Sequence, residues 1–165
     1  MALLPDCFAG LTPQELQTAS TLFLKDRGIK DSDCEAIVPY LSQNTSLRQL
    51  YIGYNDFGDG GAKHLCQALS SIQGGCLELV GFRHCRLGDQ AAEAVADLIK
   101  GSRTLVEVGI DENQITDAGA ETLACALQHS VSLRHLYIGE NRISSTGEQR
   151  LRTAKPAGVS LHFQR

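Results

Sequence analysis

Three stretches of the chain read alike: Leu47-Arg-Gln-Leu50-Tyr-Ile52-Gly-Tyr-Asn55, Leu105-Val-Glu-Val108-Gly-Ile110-Asp-Glu-Asn113 and Leu133-Arg-His-Leu136-Tyr-Ile138-Gly-Glu-Asn141. Each follows L-x-x-[LV]-x-I-x-x-N. A fourth copy runs through Leu77, Val80, Phe82 and Cys85, and a degenerate first copy through Ala19, Leu22, Leu24 and Arg27. The asparagine site therefore falls at 27, 55, 85, 113 and 141, at intervals of 28, 30, 28 and 28 residues. A period of this length marks a stack of supersecondary units. The two extra residues of the second interval fall to Gln73-Gly-Gly75, a loop-like insertion between a helix and the next strand.

Working outward from the asparagine site, an apolar residue follows two positions later (Ile29, Phe57, Leu87, Ile115, Ile143), and then a segment of helical period. Ile37 and Leu41, Leu65 and Leu69, Val95 and Ile99, and Leu123 and Leu127 are i, i+4 neighbours, while Ala62, Ala92 and Ala120 let each helix approach the next. Each unit is thus one short strand and one helix. A unit of that size cannot bury its own apolar face, so the units stack. The expected fold is α/β: a right-handed solenoid, or horseshoe arc, with a parallel sheet on the concave side and helices on the convex side. The chain divides as a single domain over 1–165, with an N-terminal cap at 1–18, repeats at 19–46, 47–76, 77–104, 105–132 and 133–155, and a closing strand at 156–165.

The ends read as caps. Thr12-Pro13-Gln14-Glu15 is a capping box with proline at the first helical position, and Phe8, Leu11 and Leu16 are placed to cover the first repeat. Lys155-Pro-Ala-Gly158 breaks the last helix, after which Val159-Ser-Leu161-His-Phe163 alternates like a sixth strand. Ser144-Ser145-Thr146 reads as the N-cap region of the last helix.

The pattern L-x-x-L-x-L-x-x-N-x-I-x-D-x-G-A-x-x-L resembles the ribonuclease-inhibitor class of leucine-rich repeat, over roughly residues 16 to 153. Arg27 and Cys85 depart from it at the asparagine site, arginine suggesting a terminal unit. The resemblance implies that Asn55, Cys85, Asn113 and Asn141 form a structural ladder in the turns. It also implies a non-catalytic module that holds another protein, as do ribonuclease inhibitors, Ran GTPase activators, tropomodulin-like actin regulators and the sensing ends of intracellular immune receptors. The alternative it leaves open is a regulator of a partner enzyme, such as a small-GTPase activator or an enzyme inhibitor, working through loop residues around Asn113 and Asn141.

Strand residues between the leucine-type positions face the concave surface and are free to vary. Four positions before the asparagine site stand Phe23, Tyr51, Gly81, Gly109, Tyr137 and, in the last strand, Ser160; two before it stand Lys25, Gly53, Arg83, Asp111, Gly139 and His162. Two glycines lie between two tyrosines, so Tyr51 and Tyr137 should flank a bare strip about 14 Å wide at the usual strand spacing. The candidate binding residues are Phe23, Tyr51, Tyr54, Arg83, His84, Asp111, Glu112, Tyr137 and Glu140. Tyrosine offers large, low-entropy contact area and a polar handle, although β-propensity alone also puts aromatics on strands. Glu107, Asp111, Glu112 and Glu140 read as an acidic C-terminal half, with Arg83 and His84 in mid-arc, which suits a basic or mixed-charge protein partner.

Composition narrows the classes. The 165 residues are 42% hydrophobic, enough for a core, and the net charge of −4 with no lysine or arginine run argues against nucleic acid. No stretch approaches the ~18 apolar residues of a membrane span, and no signal peptide leads the chain, so membrane binding is not expected. Cys7, Cys34, Cys66, Cys76, Cys85 and Cys125 are scattered with no zinc or redox spacing, which fits free, packed thiols in a reducing cytoplasmic compartment. The histidines (His64, His84, His129, His135, His162) show no H-x-x-x-H spacing, and no Walker A, G-x-G-x-x-G or G-x-S-x-G motif occurs. No catalytic residue, metal or cofactor is expected; His84 and His135 are the nearest approach to a constellation. The oligomeric state is left open, a monomer being the simpler expectation.

Overall fold

The computed structural model describes residues 4–72 and 75–163 of the chain. A 3-10 turn at Asp6–Phe8 and a short helix α1 (Pro13–Thr18) precede five strand-helix units. These are β1 (Thr21–Phe23) with α2 (Asp31–Leu41), β2 (Gln49–Tyr51) with α3 (Gly58–Ser70), β3 (Leu79–Gly81) with α4 (Asp89–Gly101), β4 (Glu107–Gly109) with α5 (Asp117–His129), and β5 (His135–Tyr137) with α6 (Ser145–Ala154). A last strand, β6 (Ser160–His162), closes the array. All six strands pair in parallel in the order β1-β2-β3-β4-β5-β6. This is the α/β solenoid expected of the repeat. The insertion expected at Gln73-Gly-Gly75 lies outside the described residues except for Gly75, whose φ is +54°.

Each strand is three residues long, and only its middle residue turns inward: Leu22, Leu50, Val80, Val108 and Leu136 are buried. From the other side the helices contribute the i, i+4 pairs read from the sequence, all buried, with Ala62, Ala92 and Ala120 at the helix contacts. Phe8 and Leu16 are buried over the first repeat, as expected, and Leu11 packs against it half-buried. Thr12 and Glu15 form the anticipated capping box, and Ser144 caps α6 by accepting from the Thr146 backbone N–H.

The asparagine ladder ties successive repeats together. Asn55 Oδ1 accepts from the backbone N–H groups of Arg27 and Ile29, and its Nδ2 donates to the carbonyls of Leu24, Ile52 and Gly53. Asn113 repeats the arrangement against the preceding turn. Cys85 supplies only the donor half, its thiol donating to the Ile52 and Arg83 carbonyls. Arg27, in the terminal unit, reaches instead to the carbonyls of Cys7 and Ala9 and so fastens the N-terminal segment.

A second ladder runs along the helix N-termini. Asp59 accepts from the Gly88 N–H, Asp89 from the N–H groups of Thr116 and Gly119 and from the Thr116 hydroxyl, and Asp117 from the N–H and hydroxyl of Ser144. Each carboxylate thus sits where the first turn of the following helix leaves donors unsatisfied. Gly119 is required here, because a Cβ on it would lie 2.6 Å from both Asp89 Oδ1 and Ile115 Cγ2. The Ser144 hydroxyl and backbone N–H hold the Asp117 carboxyl below its usual range. A carboxyl that binds protons less readily folded than unfolded stabilises the fold above its unfolded pKa of about 4 and loses that contribution as pH falls through the lower folded value. Denaturant titrations between pH 2.5 and 7 should therefore show stability falling at the acid end, and Asp117→Asn should flatten that fall; an unchanged acid limb would mean that other carboxylates carry it.

The six thiols are free, and four have pKa values raised chiefly by burial: Cys7 to about 11, Cys66 and Cys85 to about 12, and Cys34 higher still. Cys125 is exposed on α5. At pH 8 a maleimide should modify Cys125 first and leave Cys34, Cys66 and Cys85 intact until denaturant unfolds the chain, as peptide mass mapping would show.

Candidate functional site

With the middle residue of β1 to β5 buried and that of β6, Leu161, partly so, the flanking two line the open face in rows fixed by the pairing register. The first row is Thr21, Gln49, Leu79, Glu107, His135 and Ser160; the second is Phe23, Tyr51, Gly81, Gly109, Tyr137 and His162. The sequence reading placed Ser160 in the second row. The structure puts His162 there, opposite Tyr137, because β6 carries no asparagine rung from which to count its register.

The second row makes two aromatic walls. Phe23, 68% exposed, stacks on Tyr51 with ring centroids 5.1 Å apart and planes within 6°. On the other side Tyr137 stacks on His162 at 4.1 Å. Between the walls lie only Gly81 and Gly109. Neither needs to be glycine for the fold: a Cβ on Gly81 would meet nothing closer than 3.7 Å, and one on Gly109 likewise, both ordinary contacts, and neither has a positive φ. Gly53, two residues beyond Tyr51, differs, since its Cβ would lie 2.8 Å from the Arg83 carbonyl oxygen.

Where the strands end, Asp26, Tyr54, His84, Glu112 and Glu140 all adopt left-handed backbone conformations, with φ between 52° and 58°. Non-glycine residues pay about 1 kcal/mol or more for that region. The side chains of Tyr54, His84 and Glu112, with Lys25 and Arg83 from the preceding positions, form a connected chain along the rim. Lys25 Nζ lies 4.3 Å over the Tyr54 ring, Tyr54 stacks on His84 at 5.3 Å, and His84 Nδ1 lies 3.3 Å from Glu112 Oε2. Arg83 then pairs with Glu112 and, at 3.0 Å, with Asp111. The hydrogen bond from Arg83 draws the Glu112 carboxyl below its usual range, whereas burial raises that of Asp111 despite the same guanidinium.

This geometry corrects the charge reading. Arg83 does not stand apart in mid-arc; it folds onto Asp111 and Glu112, one repeat along. The acidic surplus shrinks to Glu107 and Glu140, which have no ion-pair partner among the described residues. A pocket of about 200 Å³ remains beside the pair, between Asp111, Glu112, Tyr137, Glu140 and His162. His84 and His135 do not come together: His84 belongs to the rim, while His135 Nδ1 lies 3.3 Å from His162 Nε2, a pair the sequence reading missed. No group of three or more metal-ligating side chains occurs among the described residues. A depression of about 560 Å³ lies between α3 and α4, but long polar side chains such as Lys63, Gln67, Gln90 and Glu93 line it. No helix of the described residues is long and apolar enough to cross a membrane.

A family model described as "Leucine Rich repeat" matches residues 43–66 and 101–124. The mouse (Mus musculus) protein "NACHT, LRR and PYD domains-containing protein 12" is 33% identical over 96 residues, covering 58% of this chain and 9% of the relative. The ribonuclease inhibitor of Sus scrofa is 31% identical over 93 residues (56% and 20%), and that of Mus musculus 29% over 117 (68% and 25%). The chain thus spans a quarter or less of the length of these relatives. Among solved structures, the tropomodulin C-terminal domain of Caenorhabditis elegans superposes with a TM-score of 0.66 at 15% identity, over 81% of this chain and 83% of that one. "Leiomodin-1 Actin-Binding Site 2" gives 0.58 at 15% over 93% and 77%. At such identities the likeness is one of fold. In-register repeats, the asparagine ladder they build and these alignments together show that the chain is a leucine-rich-repeat protein of the ribonuclease-inhibitor-like class.

Proposed function

We propose that the chain is a non-catalytic recognition module whose concave sheet face holds a protein partner between the Phe23–Tyr51 and Tyr137–His162 stacks. The observation that carries this reading is the glycine floor. Glycine inside a strand weakens it and leaves nothing to pack, so two adjacent glycines where a Cβ would make only ordinary contacts, with no backbone need for them, are a loss to the fold. Keeping that strip bare serves a ligand that comes close to the sheet. The exposed aromatic walls supply what such a ligand packs against, and a name such as ribonuclease inhibitor describes a relative that holds another protein.

Asn113 and Asn141 have a sufficient structural task in the turns, which favours the binding module over the enzyme-regulator alternative.

Gly81→Val/Gly109→Val tests the reading. The double variant should be as stable as the wild type or more stable by about 0.5–1 kcal/mol, since valine favours strands. It should lose the partner. Affinity capture from lysate, quantified by mass spectrometry for wild type, the double valine variant and Tyr51→Ala/Tyr137→Ala, should show a protein absent with both variants. Unchanged capture with both folded variants would overturn the concave face as the binding surface.

A further inference from the structure

We propose that His135 and His162 form a two-imidazole seat for a tetrahedral divalent ion, zinc by its geometry, beside Tyr137 on the open face. The site goes beyond the recognition reading and does not depend on it. Strand register brings the two rings together. β5 and β6 place His135 opposite Ser160 and Tyr137 opposite His162, so His135 is the diagonal neighbour of His162 on the same face. Both residues are half-buried. His162 is oriented by its stack on Tyr137, with planes within 11°, and its carbonyl accepts from the Ile138 N–H, which holds the strand that carries it.

Distance decides which ion fits. His135 Nδ1 lies 3.3 Å from His162 Nε2. Two nitrogens bonded at about 2.0–2.1 Å to a tetrahedral zinc stand about 3.3–3.4 Å apart, whereas neighbouring ligands of an octahedral or square-planar ion stand about 2.8–3.0 Å apart. The rings are close to the arrangement a chelate needs. Imidazoles sharing a tetrahedral zinc through these nitrogens have centroids about 5.2 Å apart; here they lie 5.5 Å apart with planes tilted by 38°. Small side-chain rotations close that difference.

Without the ion, one ring donates a hydrogen bond to the other across the 3.3 Å gap. When zinc binds, the donor ring changes tautomer: its inner nitrogen gives up its hydrogen and its outer nitrogen takes one from solvent, so both inner lone pairs meet the metal and no net proton is released. Charge around the pair suits a dication. Glu107 stands opposite His135 on β4 and has no ion-pair partner among the described residues. Glu140 shares with His162 the pocket of about 200 Å³, and Arg83, the cation lining that pocket, is engaged by Asp111 and Glu112. Two imidazoles supply half of a tetrahedron, and no third ligating side chain joins them among the described residues. The other two positions are left to water, or to a ligating side chain of whatever the face holds.

The probe is zinc alone, titrated at about pH 7.5 into folded Cys125→Ser, which removes the exposed thiol four residues before His129. Calorimetry should give one site per chain with a dissociation constant of about 10–100 µM, as expected of two ligands rather than four. Long-range proton–nitrogen spectra should show His135 Nδ1 and His162 Nε2 shifting together, while His64, His84 and His129 stay where they were. His135→Gln and His162→Gln, each confirmed folded by circular dichroism, should each weaken binding at least tenfold. Imidazole signals of the pair that remain unmoved up to about 1 mM zinc, or binding that survives either glutamine variant undiminished, would overturn the site. Equal shifts at all five histidines would do the same, since they would show adventitious binding only.

Discussion

Leu136→Asp abolishes the cooperative unfolding transition, and the variant is expected to be insoluble or to show flattened far-ultraviolet dichroism at 20 °C. Leu136 is fully buried at the middle of β5, paired with Val108 on one side and Leu161 on the other. A carboxylate there has no charge partner and displaces packed carbon, which costs several kcal/mol against a total stability of about 5–15 kcal/mol. Because each repeat is held by its neighbours, the loss propagates to β6 and α6 as well as to its own unit. Leu136→Met, which keeps volume and polarity, should cost less than about 1.5 kcal/mol. A soluble Asp variant melting near the wild type would mean that the register of the repeat is wrong.

Asn113→Ala is expected to lower stability by about 3–5 kcal/mol, read as a fall of roughly 10 °C in Tm. The side chain is almost fully buried, and its removal deprives the Cys85 and Leu87 N–H groups of their acceptor and the Phe82, Ile110 and Asp111 carbonyls of a donor. Asn141→Ala should cost less, because Asn141 is only half-buried and its Oδ1 accepts from Ile115 alone. Equal losses at the two positions, measured by chemical denaturation, would argue against the ladder as the source of the effect.

The strands and helices were legible because the buried positions recur at fixed offsets from the asparagine site, and β-period and helix-period alternate within each 28-residue unit. Beyond the last asparagine that ruler fails, which is why the β6 register came out two residues off. Arg83 meeting Asp111 could have been read, since residues 28 apart in a repeat face each other across neighbouring strands; the sequence reading grouped charges by half of the arc instead. The left-handed conformations at Tyr54, His84 and Glu112 left no compositional trace, because none of these residues is glycine or asparagine. A lower rung was also missed. Asn44, fully buried, accepts from Ser46 and Leu47 and donates to Leu16 and Ala19, and Ser102 and Ser130 cap the same turn in later repeats. The 28-residue spacing of Ser102 and Ser130 is visible in the sequence, but polar residues near a helix end read as ordinary solvent-facing loop.

Cys85 is the rung at which the ladder lacks its acceptor, and the same boundary between the second and third units carries the two extra residues of the 30-residue interval. A thiol sulfur accepts hydrogen bonds poorly, so adjoining turns are tied there by fewer strong bonds than at Asn55 or Asn113. The joint lies between β2, which carries Tyr51, and β3, where the glycine floor begins. What holds the second unit to the third there is therefore the strand pairing, the packing of α3 on α4, the Gly58 N–H on the Cys85 carbonyl and the Gly88 N–H on Asp59, so this joint rests on backbone donors where its neighbours rest on a buried amide.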